Sequence, residues 1–112
     1  MDKSTLHELH ARFCEAFTSP KRLEILNLLR DRELCVGALS KLANLPQSSV
    51  SQHLAVLRSR GIVAARREGV TIYYSLSTAR IMAAFDIITE VLLEELSHTE
   101  KLSKDLREAR TR

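Results

Sequence analysis

The 112-residue sequence has no tryptophan, two prolines, three glycines and two cysteines, and aromatic side chains make up only 4% of it. So few aromatics argue against a sheet sandwich. The apolar 45% is mostly Leu, Ile, Val and Ala, the composition of packed helices. No apolar run approaches the roughly 18 residues of a membrane span. The opening MDKSTLHELH also lacks the apolar centre of a secretion signal, so the chain is expected in the cytoplasm, away from membranes. Two cysteines are too few for a disulfide framework. There is no glycine-rich phosphate loop and no nucleophile set beside a base. His10 and Cys14, four residues apart, are an isolated pair, so no enzyme is expected. With 28% charged residues alongside this apolar stock, residues 1–112 are long enough for one folded domain and too short for two ordinary cores.

The net charge of +3 is unevenly spread. Residues 46–80 carry five basic side chains against one acidic, while residues 1–45 are near neutral and residues 81–112 lean acidic. A central basic stretch suits a surface that faces phosphates. The few Gly and Pro residues divide the chain into elements. Leu6, Leu9, Phe13 and Phe17 step by three and four, which predicts a first helix over residues 5–17. Ser19 as N-cap and Pro20 at the first helical position open a second, with Leu23, Ile25, Leu26, Leu28 and Leu29 making it core. After a polar break at residues 31–33, Val36, Leu39 and Leu42 mark a short third helix that stops at Asn44-Leu45-Pro46. Ser48 or Ser49 can cap a fourth, whose inner face is Val50, Leu54 and Leu57 and whose end is Gly61. Residues 62–67, a turn at Glu68-Gly69 and residues 70–76 read as a hairpin. Its second strand would bury Ile72, Tyr74 and Leu76 and leave Thr71, Tyr73 and Ser75 wet. From Thr78 helix returns through Ile81, Phe85, Ile88, Leu92 and Leu96, with Leu102 and Leu106 in a charged tail.

The expected fold is mainly α with a β-hairpin wing: a helix-turn-helix over residues 36–60, a wing over 62–76, and flanking helices over 1–17 and 78–106. Five ordered blocks carry a resemblance. They are SPKRLEIL from Ser19, ELCVGAL from Glu33, QSSVSQHL from Gln47, LRSRGIV from Leu57, and RREG from Arg66 with Tyr73-Tyr74-Ser75-Leu76. Together, over roughly residues 13–95, they resemble the ArsR/SmtB family of bacterial winged-helix repressors. The resemblance implies a homodimer, joined through its first and last helices, that occupies double-stranded operator DNA and leaves when an effector binds. The apolar stripes of those two helices agree, because one small core leaves them little to pack on within one chain. The fourth helix would offer Gln47, Ser48, Ser49, Ser51, Gln52 and His53 to base edges. Arg66 and Arg67 on the wing would reach phosphate or the minor groove. His53 could instead hydrogen-bond within the helix-turn-helix, and Arg58 and Arg60 could equally be solvated charges favoured at a helix C-terminus. The fold would also serve a protein-binding module, although the basic centre favours DNA.

Relatives in that family hold metals or metalloids with two cysteines one residue apart at the start of the helix-turn-helix. Here Cys35 occupies the first position and Gly37 the second, so the chelating pair is broken. A second family site, Asp-x-His with His-x-x-Glu on the last helix, is not matched: Ile88 follows Asp86 where His is needed, and Lys101 follows His98 where Glu is needed. His7, His10 and Cys14 share one face of the first helix. Three readings of the thiols stand side by side. Cys14 and Cys35, with His10, could hold a thiophilic metal or metalloid ion of unknown identity. The two thiols could form a switch closed by oxidation or persulfide. Or Cys14 could be a small residue of the dimer contact and Cys35 a plain helix-start residue.

Overall fold

A computed structural model describes residues 1–111. It contains α1 (Lys3–Glu15), α2 (Pro20–Leu28), β1 (Leu34–Cys35), α3 (Val36–Ala43), α4 (Gln47–Ser59), β2 (Val63–Glu68), β3 (Thr71–Leu76) and α5 (Arg80–Thr111). Residues Met1–Ala79 form one compact unit, and the helix from Arg80 onward forms a second. Among the described residues no helix is long and apolar enough to cross a membrane.

In the first unit the helix starts follow local chemistry. Asp2 accepts from the backbone N–H of Thr5 at 2.7 Å and so caps α1; that bond holds its carboxyl below the usual range. Ser19 accepts from the N–H of Arg22, and Pro20 takes the first helical position of α2, as expected. The start of α4 differs from the sequence expectation. Its N-cap is Pro46, with no side-chain cap bond, and Ser48 and Ser49 lie inside the first turn. The fixed φ of proline already suits that position, and the N–H of Val50 closes onto the Pro46 carbonyl at 3.1 Å.

The core of this unit is a wedge of Ile25, Leu26, Leu29, Leu39, Val50, Leu54, Leu57 and Ile62, all nearly solvent-free. It forms because α3 packs on both α2 and α4, and α4 packs on β2. On α3 the buried partner of Leu39 is Ala43 rather than Leu42, which stays half exposed. The turn between α3 and α4 needs a left-handed residue, which Asn44 supplies at φ +52. The Ser40 hydroxyl donates to the Leu45 carbonyl across that turn.

The wing holds two departures from the sequence expectation. It has three strands, not two. Leu34 and Cys35, between the polar break at residues 31–33 and the third helix, pair antiparallel with Tyr74 and Tyr73, giving the order β1-β3-β2. The hairpin turn also lies one residue later than expected, at Gly69-Val70, because Gly69 adopts φ +61 and pairing begins at Glu68 opposite Thr71. Flanked on both edges, β3 does not alternate wet and dry. Tyr73 is half-buried like Tyr74, while Ile72, expected inside, is 39% exposed.

α1 buries no residue, and Leu6, Leu9 and Phe13 on it are 54%, 46% and 40% exposed. In the second unit Ile88, Leu92, Leu96, Leu102 and Leu106 of α5 are all exposed.

Candidate nucleic-acid interface

α4 separates its faces as the spacing predicts. Val50, Leu54 and Leu57 are buried, while Gln47, Ser48, Ser51 and Gln52 are exposed along the opposite side. Ser49 and His53 are half-buried at the margin. His53 turns to α2: Arg22 Nε donates to His53 Nδ1 at 3.3 Å. Desolvation, then the charge of Arg22, hold the imidazole below its ordinary pKa, so it is a neutral acceptor at pH 7.

The end of α4 is joined to the wing by backbone. Gly61, at φ +74, donates to the Arg58 carbonyl at 3.0 Å and Ile62 donates to the Leu57 carbonyl at 2.9 Å. This double bond pattern, with the buried pair Leu57 and Ile62 beneath it, closes the helix. At the other end of the hairpin Ser77 donates to the Ile62 carbonyl at 2.9 Å. The exposed face of α4 and the wing are therefore held in one fixed relation.

Arg66 and Arg67 are neighbours in sequence and opposites in space. Arg66 stands across from Tyr73, and Arg67 across from Ile72, so their side chains leave opposite faces of the sheet. Arg66 is engaged. Its Nε and Nη2 donate to the Glu33 carboxylate at 3.1–3.3 Å, its Nη1 donates to Glu68 at 2.9 Å, and its guanidinium lies 5.1 Å from the centre of the Tyr73 ring. The carboxylate bonds, Glu33 first and Glu68 second, raise its pKa further. Arg67 donates from Nε to the Gly69 carbonyl at 3.1 Å, which braces the turn and keeps its cation at the wing tip. Arg58 and Arg67 enter no ion pair among the described residues.

The thiols are not assembled into a ligand set. Cys14 is exposed on α1, and Cys35 is half-buried at the N-cap of α3; both are free. Among the described residues no three His, Cys, Asp or Glu side chains gather where they could hold a metal ion, so Cys14, Cys35 and His10 do not form a metal site within one chain. The sequence reading missed the two residues that hold Arg66 in place, Glu33 and Tyr73. Tyr73 faces Arg66 across the β2–β3 pairing, and the pairing of β1 with β3 brings Glu33 alongside.

α3, the turn at Asn44 and α4 thus form a helix-turn-helix with a buried inner face, rigidly continuous with a wing that carries Arg66 and Arg67. Residues 19–65 match the model described as "Bacterial regulatory protein, arsR family". The chain belongs to this family. It is 38% identical over 108 residues to the regulator Rv0081 of Mycobacterium tuberculosis, covering 96% of this chain and 95% of that one. It is 37% identical over 94 residues to the nodulation protein NolR of Rhizobium meliloti, with 84% and 77% covered. The crystal structure of Rv0081 superposes with a TM-score of 0.76 at 39% identity, covering 82% of this chain and 93% of that one. A homodimeric winged helix-turn-helix DNA-binding domain from Mycobacterium bovis gives 0.76 at 33% identity, with 86% and 89% covered. This arsR-family chain is thus a DNA-binding transcription regulator with a winged helix-turn-helix, and not an enzyme.

Proposed function

We propose that this arsR-family regulator is a homodimeric repressor that binds operator DNA in the cytoplasm through α4 and the wing and is released when its thiols react. The observation that carries the DNA reading is the two-faced α4: a polar row of Gln47, Ser48, Ser51 and Gln52 outside a helix whose inner face and C-terminus are immobilised. A side-chain row that reads base edges has to be held rigidly at one depth and angle, and the bonds from Gly61 and Ile62 do so. Gln pairs bidentately with adenine, and the serines accept from or donate to bases and phosphates. Arg67 supplies a phosphate contact at the wing tip.

The dimer reading rests on the bare apolar stripes of α1 and α5 and on the homodimeric M. bovis domain. Two copies related by a two-fold axis put two α4 helices about one DNA turn apart on a near-palindromic site. Within a single-domain chain, residues 1–17 and 78–106 serve this contact and residues 36–76 serve DNA.

The effector reading rests on two free thiols, at α1 and at the mouth of the helix-turn-helix. Among the described residues neither thiol belongs to a group of three potential ligands, so thiol chemistry is the shared requirement, whether the agent is a soft metalloid or an oxidant. A mobility-shift assay on the DNA upstream of its own reading frame tests the DNA reading. A discrete complex that survives excess random duplex supports it. Absence of any complex would turn the assignment toward a protein-binding winged helix.

A further inference from the structure

A helix seated in the major groove and a wing seated in the adjoining minor groove must straddle the sugar-phosphate strand that divides the two. The structure has an open trough in that place. Between α4 and β3 runs a groove of about 480 Å³ lined by Ser51, Leu54, Ala55, Arg58, Ser59 and Tyr74. A second groove of about 390 Å³ shares Ser51 and Tyr74 with it and is lined besides by Cys35, Val36 and Gly37 at the start of α3 and by Val70, Thr71 and Ile72 of the wing. The trough exists because α4 presents small residues to this side: Ser51, Ala55 and Ser59 are four apart and stack on one edge of the helix.

We propose that this trough seats the DNA strand between the two grooves, with Arg58 and the Tyr74 hydroxyl as its phosphate ligands, and that Arg66 takes no part. The inference rests on the DNA-binding reading above and adds residues to it. Arg58 brings a cation without an ion-pair partner to the trough wall. Tyr74 shares its sheet face with Ile72, and Arg67 stands opposite Ile72 on that same face, so phenol and wing-tip guanidinium line up along one strand path. Arg66 leaves the sheet on the other face, where Glu33 and Glu68 together carry two negative charges against its one positive. Releasing it to a phosphate would break a forked carboxylate contact and strand both acids near DNA, whereas Arg58 has nothing to give up.

The salt dependence of binding to one operator-bearing duplex separates these roles, since each lost cation contact lowers the slope of log Kobs against log salt by about 0.9. Arg58→Gln is expected to lower the slope by about that amount. Tyr74→Phe is expected to weaken binding about tenfold with the slope unchanged, because a neutral donor displaces no counterion. Arg66→Gln is expected to leave the slope where it is. A slope lowered by Arg66→Gln as much as by Arg58→Gln, or wild-type binding by either trough variant, overturns the proposal while leaving the DNA reading intact. A wild-type protein that binds no duplex overturns both. Thermal unfolding checks each variant. If one does not fold, phosphate-ethylation interference on the wild-type complex replaces it: blocked phosphates on the strand between the two contacted grooves support the seat, and unblocked ones overturn it.

Discussion

Arg22 on α2 donates from Nε to Nδ1 of His53 on α4 at 3.3 Å, joining a core helix to the helix proposed to face DNA. The bond requires an unprotonated Nδ1. A proton there would cancel the acceptor and set two cations against each other.

Stability should therefore depend on pH through this residue. Its folded pKa lies below the ordinary 6.5, so between those two values the unfolded chain binds more protons than the folded one. The contribution is complete above pH 6.5 and is lost as pH falls from there through the lowered folded value. Denaturant titrations should show wild type losing more stability than His53→Gln as pH falls below 6.5; parallel curves for the two proteins would contradict the assignment.

Gly61 should tolerate alanine poorly, although nothing lies within 4 Å of the added Cβ. The cost comes from holding an L-residue at φ +74, about 1–2 kcal/mol. Because the same residue closes α4 onto the wing, Gly61→Ala should also weaken operator binding. Chemical denaturation and a binding titration on the same preparation check both effects.

Base reading and charge should come apart. Gln52→Ala is expected to lose about 1–3 kcal/mol of discrimination between operator and random duplex. Arg67→Ala is expected to weaken binding to both about equally. Fluorescence anisotropy on the two duplexes is the measurement, and equal loss on both for Gln52→Ala would remove it from the base-reading row.

Leu92 is 54% exposed in the middle of the α5 stripe. Leu92→Glu places a charge where a second copy should pack, so sedimentation should show monomers and operator affinity should fall with the loss of the second α4. A wild-type protein that is monomeric at micromolar concentration would refute the dimer.

Replacing both Cys14 and Cys35 with Ser should leave operator affinity close to wild type, since Cys14 lies on α1 and serine keeps the size and polarity of Cys35 where it lines the second groove beside α4. It should abolish release by arsenite or by an oxidant, which for wild type is expected to weaken binding about 5- to 150-fold. Release by one agent alone identifies the effector class. A double variant that responds like wild type takes the thiols out of the mechanism.

The sequence by itself determined the helices, their order and the two faces of α4, because these depend on short-range physics. Ser19-Pro20 sets the start of α2, Gly61 the end of α4, and a three-and-four spacing places Val50, Leu54 and Leu57 inside whatever packs against them. It also placed the basic excess at residues 46–80. Only the tertiary structure decided β1, whose two residues show no strand pattern and become a strand solely because Tyr73 and Tyr74 lie alongside. It likewise decided the fates of Arg66 and Arg67. Two adjacent arginines read alike in a string of letters, but a turn that begins at Gly69 sends one toward Glu33, which is 33 residues away in sequence, and leaves the other at the wing tip. A one-residue shift of that turn would exchange them, because successive side chains on a strand leave opposite faces, and the register is set by pairing and backbone conformation rather than by the residues that carry the charge.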